Sequence, residues 1–366
     1  MSLELAPFLA TAVVGEHSDK AWVEENATLL RQSGTKSPTF CGSQRVLLAG
    51  LLAGAALILF SIRADVLGKR SHSSNGIKRT TDPSIAFCGN SMLYYNDCPV
   101  LVEILLQRMM LTDSTSTARP RITQESYIRG GANLDELWRE PVDKRPLPFA
   151  EAQGVPSSVE DLFHHNESSS WKFVVLQDDV QAVIHRELHK ASRQTLRDNY
   201  LPALDHGTVL LFLETFPPQE PRLRERTARM GDYNEYTDAI IRGTGHYAAM
   251  ATARHRDARI VPLASAMRAL WNASATSSSD LLWPDHMYHT DHIHPSPHTT
   301  WLQACLIVAS MGIGTIPSWD KRLEEEWRQG ARFWQEHIEP DEDDLPLPSP
   351  SEAEYLRLLA IDTVDL

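Results

Sequence analysis

The chain is poor in cysteine. Cys41, Cys88, Cys98 and Cys305 are four residues in 366, too few for a disulfide framework. They show no zinc-type spacing. Cys88 and Cys305 sit in apolar segments and read as small buried hydrophobes. Positive charge is also scarce: 35 Lys and Arg face 48 Asp and Glu, a net charge of -13. A nucleic-acid groove needs clustered Lys and Arg, so nucleic acid is excluded as a partner. Anionic polymers are disfavoured as substrates for the same reason. There is no internal repeat. His185 and His189 lack the His-Glu-x-x-His order of a zinc protease and read as part of a surface helix.

Long apolar runs are scarce too, with one clear exception. Val46 to Ile62 carries no charge and is bracketed by Arg45 and Arg63. A spanning helix takes ~17–25 residues, so this run is long enough. It shows no polar face, unlike most core helices, and lies too far inside for a cleaved signal peptide. The expectation is a tail over 1–45, a single transmembrane signal anchor over 46–62 and a polar stem over 63–82. Counting flanking Lys and Arg puts the domain in the cytosol. The acceptors Asn166-Glu167-Ser168 and Asn272-Ala273-Ser274, in loop-like sequence, put it in the lumen.

From Pro83 onward, strand-like and helix-like segments alternate. Strands are expected over Ile85–Cys88, Arg121–Ile128, Phe173–Gln177, Val209–Leu213 and Arg259–Leu263. The Phe173 and Val209 runs are apolar without alternation, as strands buried on both faces are. Helices are expected over Pro99–Leu111, Val159–His164, Ala191–Leu204, Tyr233–Arg254 and Thr299–Met311. This pattern implies an α/β fold, a three-layer α/β/α domain on a five-stranded parallel sheet, over 83–316. Residues 317–366 read as a helical and acidic tail wrapping that domain. Trp319, Leu323, Trp327, Phe333 and Trp334 mark an amphipathic helix weakened by Gly330, and 351–361 a shorter one.

Two motifs carry chemistry. In Ala86-Phe87-Cys88-Gly89-Asn90-Ser91 an apolar strand ends at a glycine and a serine follows. A helix-compatible segment starts at Pro99, so Ser91 would stand at the C-terminal edge of the sheet, where open α/β folds bind ligands. Serine needs an adjacent base to act as a nucleophile. Asp291-His292-Ile293-His294-Pro295 offers one. A turn over Asp-x-x-His can bring Asp291 back to His294, whereas His292 is next to the carboxylate and badly placed to face it. His286, His289, His292, His294 and His298 crowd this region. The missing Cys partners and irregular spacing favour a base with loop neighbours over a metal site.

Ser91 early, with Asp291 and His294 together late, resembles the SGNH (GDSL-like) hydrolase superfamily. Gly89-Asn90-Ser91 with Tyr94-Tyr95-Asn96-Asp97 is similar to a branch with Gly-Asn-Ser in its first block. The resemblance implies a flavodoxin-like fold and a Ser91–His294–Asp291 triad. It also selects His294 over His292. It further implies an oxyanion hole from the Ser91 backbone N–H and a second-block glycine, Gly131 in Arg129-Gly130-Gly131-Ala132-Asn133. The family's third-block asparagine is replaced here by Gln177, before Asp178. Gln177 either donates its amide to the oxyanion or is a strand-end residue. Asn90 is expected to brace the turn and Asp97 to cap the following helix.

The implied function is a serine esterase acting on an acyl ester, with a glycan ester as one option. No cofactor or metal is required. An O-acyltransferase on the same triad and a non-catalytic membrane-anchored carbohydrate-binding protein are the alternatives. Since anchored relatives of this family work on glycans in the secretory pathway, we read the domain as lumenal. The sequence leaves the oligomeric state open.

Overall fold

The computed structural model describes residues 83–113, 122–139, 158–164, 171–276, 286–337 and 346–365. The tail over 1–45, the run over 46–62, the stem over 63–82, Cys41 and Asn166 lie outside the described residues. Among the described residues, no helix is long and apolar enough to cross a membrane.

Five strands build the sheet: β1 (Ser84–Gly89), β2 (Thr123–Ile128), β3 (Phe173–Gln177), β4 (Val209–Leu213) and β5 (Asp257–Val261). Their order is β2-β1-β3-β4-β5, and every neighbouring pair is parallel. Period-2 geometry sends alternate side chains of the buried central strands to opposite faces. Phe87, Val175 and Leu211 enter one core; Cys88, Leu176 and Phe212 enter the other. The chain order reverses between β1 and β3, so a crevice opens there at the strand C-termini.

The helices follow in chain order. α1 (Ser91–Tyr94) is one short turn, and a 3-10 turn (Tyr95–Asp97) joins it to α2 (Cys98–Asp113). Then come α3 (Leu134–Arg139), α4 (Val159–His164), α5 (Val180–Ile184), α6 (Arg186–Thr195), α7 (Leu201–Ala203) and α8 (Pro221–Ala228). They are followed by α9 (Tyr233–Thr252), α10 (Leu263–Thr276), α11 (Pro297–Met311), α12 (Lys321–His337) and α13 (Pro350–Val364). Leu101 and Leu105 of α2, Met267 of α10 and Trp301 and Leu302 of α11 fill the first core. Leu134 and Leu137 of α3, Val159 of α4 and Tyr236 and Tyr247 of α9 fill the second.

Proline explains two of the differences from expectation. The fifth strand ends at Val261 and α10 starts at Leu263, because Pro262 has no N–H to continue a ladder. The helix expected over Ala191–Leu204 is α6 and α7, joined by a π-helical turn (Leu196–Tyr200) just before Pro202. Asn272, expected in a loop, lies in the last part of α10 with its side chain exposed. Helices α12 and α13 belong to the first core: Leu323 and Trp327, Trp319 just ahead of α12, and Ala353, Leu356 and Ala360 are all buried in it. Trp301 Nε1 donates to the Ala353 carbonyl at 2.8 Å, pinning α13 onto α11. Cys88, Cys98 and Cys305 are buried free thiols.

Candidate active site

Ser91 is the first residue of α1, immediately beyond β1. Asn90 is its N-cap, and the Asn90 carboxamide oxygen accepts the Met92 N–H at 3.1 Å. The carboxamide nitrogen donates to the Ala132 carbonyl at 3.1 Å, so Asn90 braces the turn as expected. A Cβ at Gly89 would lie 2.5 Å from Leu93 Cδ1 and 2.7 Å from Gln177 Oε1, so the strand can turn this tightly only at glycine.

The second motif meets the first across the crevice. His294 Nε2 and Ser91 Oγ are 2.8 Å apart. His294 Nδ1 is hydrogen-bonded to Asp291 Oδ2. The other Asp291 oxygen accepts the backbone N–H groups of Ile293 and His294, each at 2.9 Å. This aspartate turn folds the Asp-x-x-His spacing back on itself. Burial works to raise the Asp291 carboxyl, but the imidazole and the two N–H donors outweigh it and hold it well below the usual carboxylate range. The hydroxyl, imidazole and carboxylate thus form one hydrogen-bonded line.

His292 faces elsewhere. Its backbone is left-handed, with φ of 62°, and its ring is exposed. Nδ1 lies 2.6 Å from Gln219 Oε1, and the His292 carbonyl accepts the Gln219 N–H at 2.9 Å. His289 is buried with its ring edge-on to Tyr95.

Gln177 lies beside the serine-bearing turn with both ends of its amide hydrogen-bonded. It is fully buried. Its Oε1 accepts the Asn90 N–H at 2.8 Å, and its Nε2 donates to the Asp178 carbonyl. Gln177 therefore clamps the residue before Ser91 from the neighbouring strand. Asp178 continues that clamp. Its Oδ1 accepts the N–H of Leu134 at 2.9 Å and of Asp179 at 2.9 Å, and its Oδ2 accepts the Tyr247 hydroxyl at 2.5 Å. Burial pushes the Asp178 carboxyl up to about 6, against the pull of these donors. Asn90 and Asp178 together hold both ends of the Ala132–Leu134 segment.

Gly131 precedes that segment with φ of +68° and open space where a side chain would stand. Among the described residues, no acceptor is paired with the backbone N–H of Ser91 or of Gly131.

The run Tyr94-Tyr95-Asn96-Asp97 does more than fill the space before α2. The Tyr95 ring stacks on His294. Asn96, left-handed at φ 52°, donates Nδ2 to the Pro295 carbonyl and to Thr300 Oγ1, each at 3.0 Å. Its carbonyl accepts Trp327 Nε1 at 3.0 Å. Asp97 accepts the Val100 N–H, the capping expected of it. The left-handed preference of Asn was the readable signal for a special turn here; the contact with Pro295 had none.

No protein-family model matches the chain, and no curated protein matches it. Solved structures do. One is a Slackia heliotrinireducens protein assigned to the SGNH hydrolases, 19% identical, covering 63% of this chain and 99% of its own, with a TM-score of 0.42. A second is a DUF4886 family protein from Bacteroides uniformis, 14% identical, covering 72% and 97%, with a TM-score of 0.45. A third is an acetylxylan esterase from Geobacillus stearothermophilus, 14% identical, covering 65% and 98%, with a TM-score of 0.38.

Proposed function

We propose that this chain is a serine esterase of the SGNH (GDSL-like) kind. One observation carries the reading: Ser91, His294 and Asp291 stand in hydrogen-bonded line, with Oγ 2.8 Å from Nε2. With the Nδ1 proton directed at Asp291, Nε2 is left to take the Ser91 proton as Oγ attacks an acyl carbonyl. Collapse of the tetrahedral intermediate breaks the ester bond. His294 returns the proton to the leaving alkoxide, and the acyl group stays on Ser91. Water, deprotonated by His294, then attacks the acyl-enzyme, releasing the acid and restoring the Ser91 hydroxyl. Asp291 stays ionised and stabilises the imidazolium at each proton transfer.

The unpaired N–H groups of Ser91 and Gly131 are the donors we assign to the oxyanion. Each such donor is worth ~3 kcal/mol in the transition state. Gln177 supports them from behind, by holding Asn90.

The substrate class that the sequence resemblance implies is an acyl ester, with a glycan ester as one option. Labelling with a serine-directed fluorophosphonate tests the central step. Wild-type protein should take up one label, and Ser91→Ala should take up none. Labelling that persists in Ser91→Ala would remove Ser91 as the nucleophile. A radiolabelled acyl donor offered with and without a sugar acceptor then separates hydrolysis from O-acyl transfer.

A further inference from the structure

The crowd of histidines near the C-terminus divides into two groups with different neighbours. His294 belongs to the line with Ser91. His286 and His298 instead flank Glu352, a residue from α13 more than fifty positions further on. His286 Nδ1 lies 3.8 Å from Glu352 Oε1, and His298 Nε2 lies 3.5 Å from Glu352 Oε2. The two imidazole rings meet edge-on, with centroids 5.3 Å apart and planes at 84°. One ligand atom from each residue falls within 4.8 Å of the other two.

His298 carries the inference. It is 2% exposed, yet its Nε2 makes no hydrogen bond. A buried polar atom without a partner is costly and rare in native folds. His298 Nε2 meets Glu352 Oε2 only as an ion-pair contact at 3.5 Å. Glu352 Oε2 also accepts the Ser349 N–H at 2.7 Å, in the capping box of α13. Separations of 3.5 and 3.8 Å are long for hydrogen bonds. Each histidine faces a different oxygen of the carboxylate, at separations slightly above the roughly 3.3 Å ligand–ligand edge of a tetrahedron with metal bonds of ~2.0–2.1 Å.

We propose that His286, His298 and Glu352 bind a divalent transition-metal ion, zinc by the chemistry of the donors. Two imidazoles and a carboxylate suit zinc, and they disfavour magnesium and calcium, which take oxygen ligands. Exposure of His286 leaves the fourth position to water. The ligands are held from three directions. Ser296 caps α11 and also donates its hydroxyl to the His286 carbonyl. Thr299 donates to the Met287 carbonyl. Tyr288 and Pro295 form an antiparallel bridge between the two histidine-bearing stretches. The ion would therefore close the base of the loop that carries Asp291 and His294, and tie that base to α13.

The site's role is structural, so its test does not depend on turnover. Full-length, tag-free protein is stripped with chelator and titrated with Zn²⁺ and, as a spectroscopic probe, Co²⁺. A single equivalent should bind, with the visible absorption of four-coordinate Co²⁺ and a rise in Tm. His298→Ala and His286→Ala should each weaken binding by more than about 100-fold, the loss expected when a ligand rather than an outer partner is removed. Both should abolish the Tm rise. His286 is exposed, so its variant folds whatever the fate of the buried His298 variant. Glu352→Gln keeps an oxygen for the Ser349 N–H and isolates the loss of the carboxylate charge. Absence of stoichiometric binding in wild type would overturn the proposal. So would binding that survives in His286→Ala unchanged.

Discussion

The ring of Tyr95 lies flat on the imidazole of His294, with centroids 3.9 Å apart and planes 5° from parallel. Tyr95 comes from the turn after Ser91, so the segment that presents the hydroxyl also fixes the plane of the ring facing it. A base held by stacking on one face and by Asp291 at its edge has little rotational freedom.

Truncating that stack should misplace the base. Tyr95→Ala should lower kcat by about 10-fold or more with little change in KM, since small misalignments of a catalytic group are costly in rate. Tyr95→Phe keeps the ring and should stay near wild-type. Steady-state kinetics on a chromogenic ester measures both. Unchanged kcat in a folded Tyr95→Ala would show that Asp291 alone orients the imidazole.

The two histidines beside Asp291 should separate cleanly. His294→Ala should remove at least about 10³-fold of ester turnover, the scale of losing a triad member. His292→Ala should cost little, because its ring is directed at Gln219. If His292→Ala is the inactive variant, the proton acceptor is misassigned.

Gln177 offers a test of brace against donor. As a brace, Gln177→Ala leaves the buried Asn90 N–H without its acceptor, at a cost of about 1–3 kcal/mol. Tm and kcat should fall together, and Gln177→Glu, which retains a side-chain acceptor oxygen, should recover part of the stability. A donor to the oxyanion would instead lower kcat about 10²-fold at unchanged Tm. Urea or thermal unfolding measured beside kinetics distinguishes these outcomes.

Buried Glu214 makes stability fall with rising pH. It stands at the end of β4, 1% exposed, with its carboxylate accepting the Ser265 N–H at 3.2 Å. Burial pushes it up from 4.5 to about 7. Below the unfolded value both states are protonated and the full contribution is present. As pH rises towards 7 the unfolded chain ionises first, and the contribution is lost. Its size is up to about 3 kcal/mol. Glu214→Gln should reduce the difference in unfolding free energy between pH 5 and pH 8. An unchanged difference would assign the effect to other carboxyls.

Membrane topology is testable at Asn272. If the run over 46–62 spans the membrane with the domain in the lumen, the exposed Asn272 should carry glycan, and endoglycosidase should shift the mobility of protein from its native host. No shift in wild type, with the domain open to protease from the cytosolic side, would reverse the orientation.

Much of this molecule was legible along the chain, wherever the signal is local. Phe173–Gln177 and Val209–Leu213 emerge at the boundaries read from their apolar runs, because strands buried on both faces leave no alternation to confuse. Val159–His164 is likewise the helix expected. Ser91 at a strand-to-helix turn, and Asp291 one turn from His294, follow from spacing alone. Where Pro262 and Pro202 cut across apolar segments, hydrophobicity spoke louder than the missing N–H, and the boundaries slipped.

Contacts between distant segments had no such signal. Nothing near Gln177 in sequence says that its amide will face Asn90 rather than the crevice. That follows from the register of β1 against β3 and from burial on both sides. The stacking of Tyr95 on His294 needs two loops from opposite ends of the domain to converge. The histidine cluster shows this most plainly. Read along the chain, its spacing is irregular and it lacks a further ligand. The sequence determines which side chains have the chemistry to bind, attack or accept a proton. Only the packing of α13 against α11 decides that Glu352 stands beside His286 and His298, because burial of Ala353, Leu356 and Ala360, not local spacing, draws that helix in.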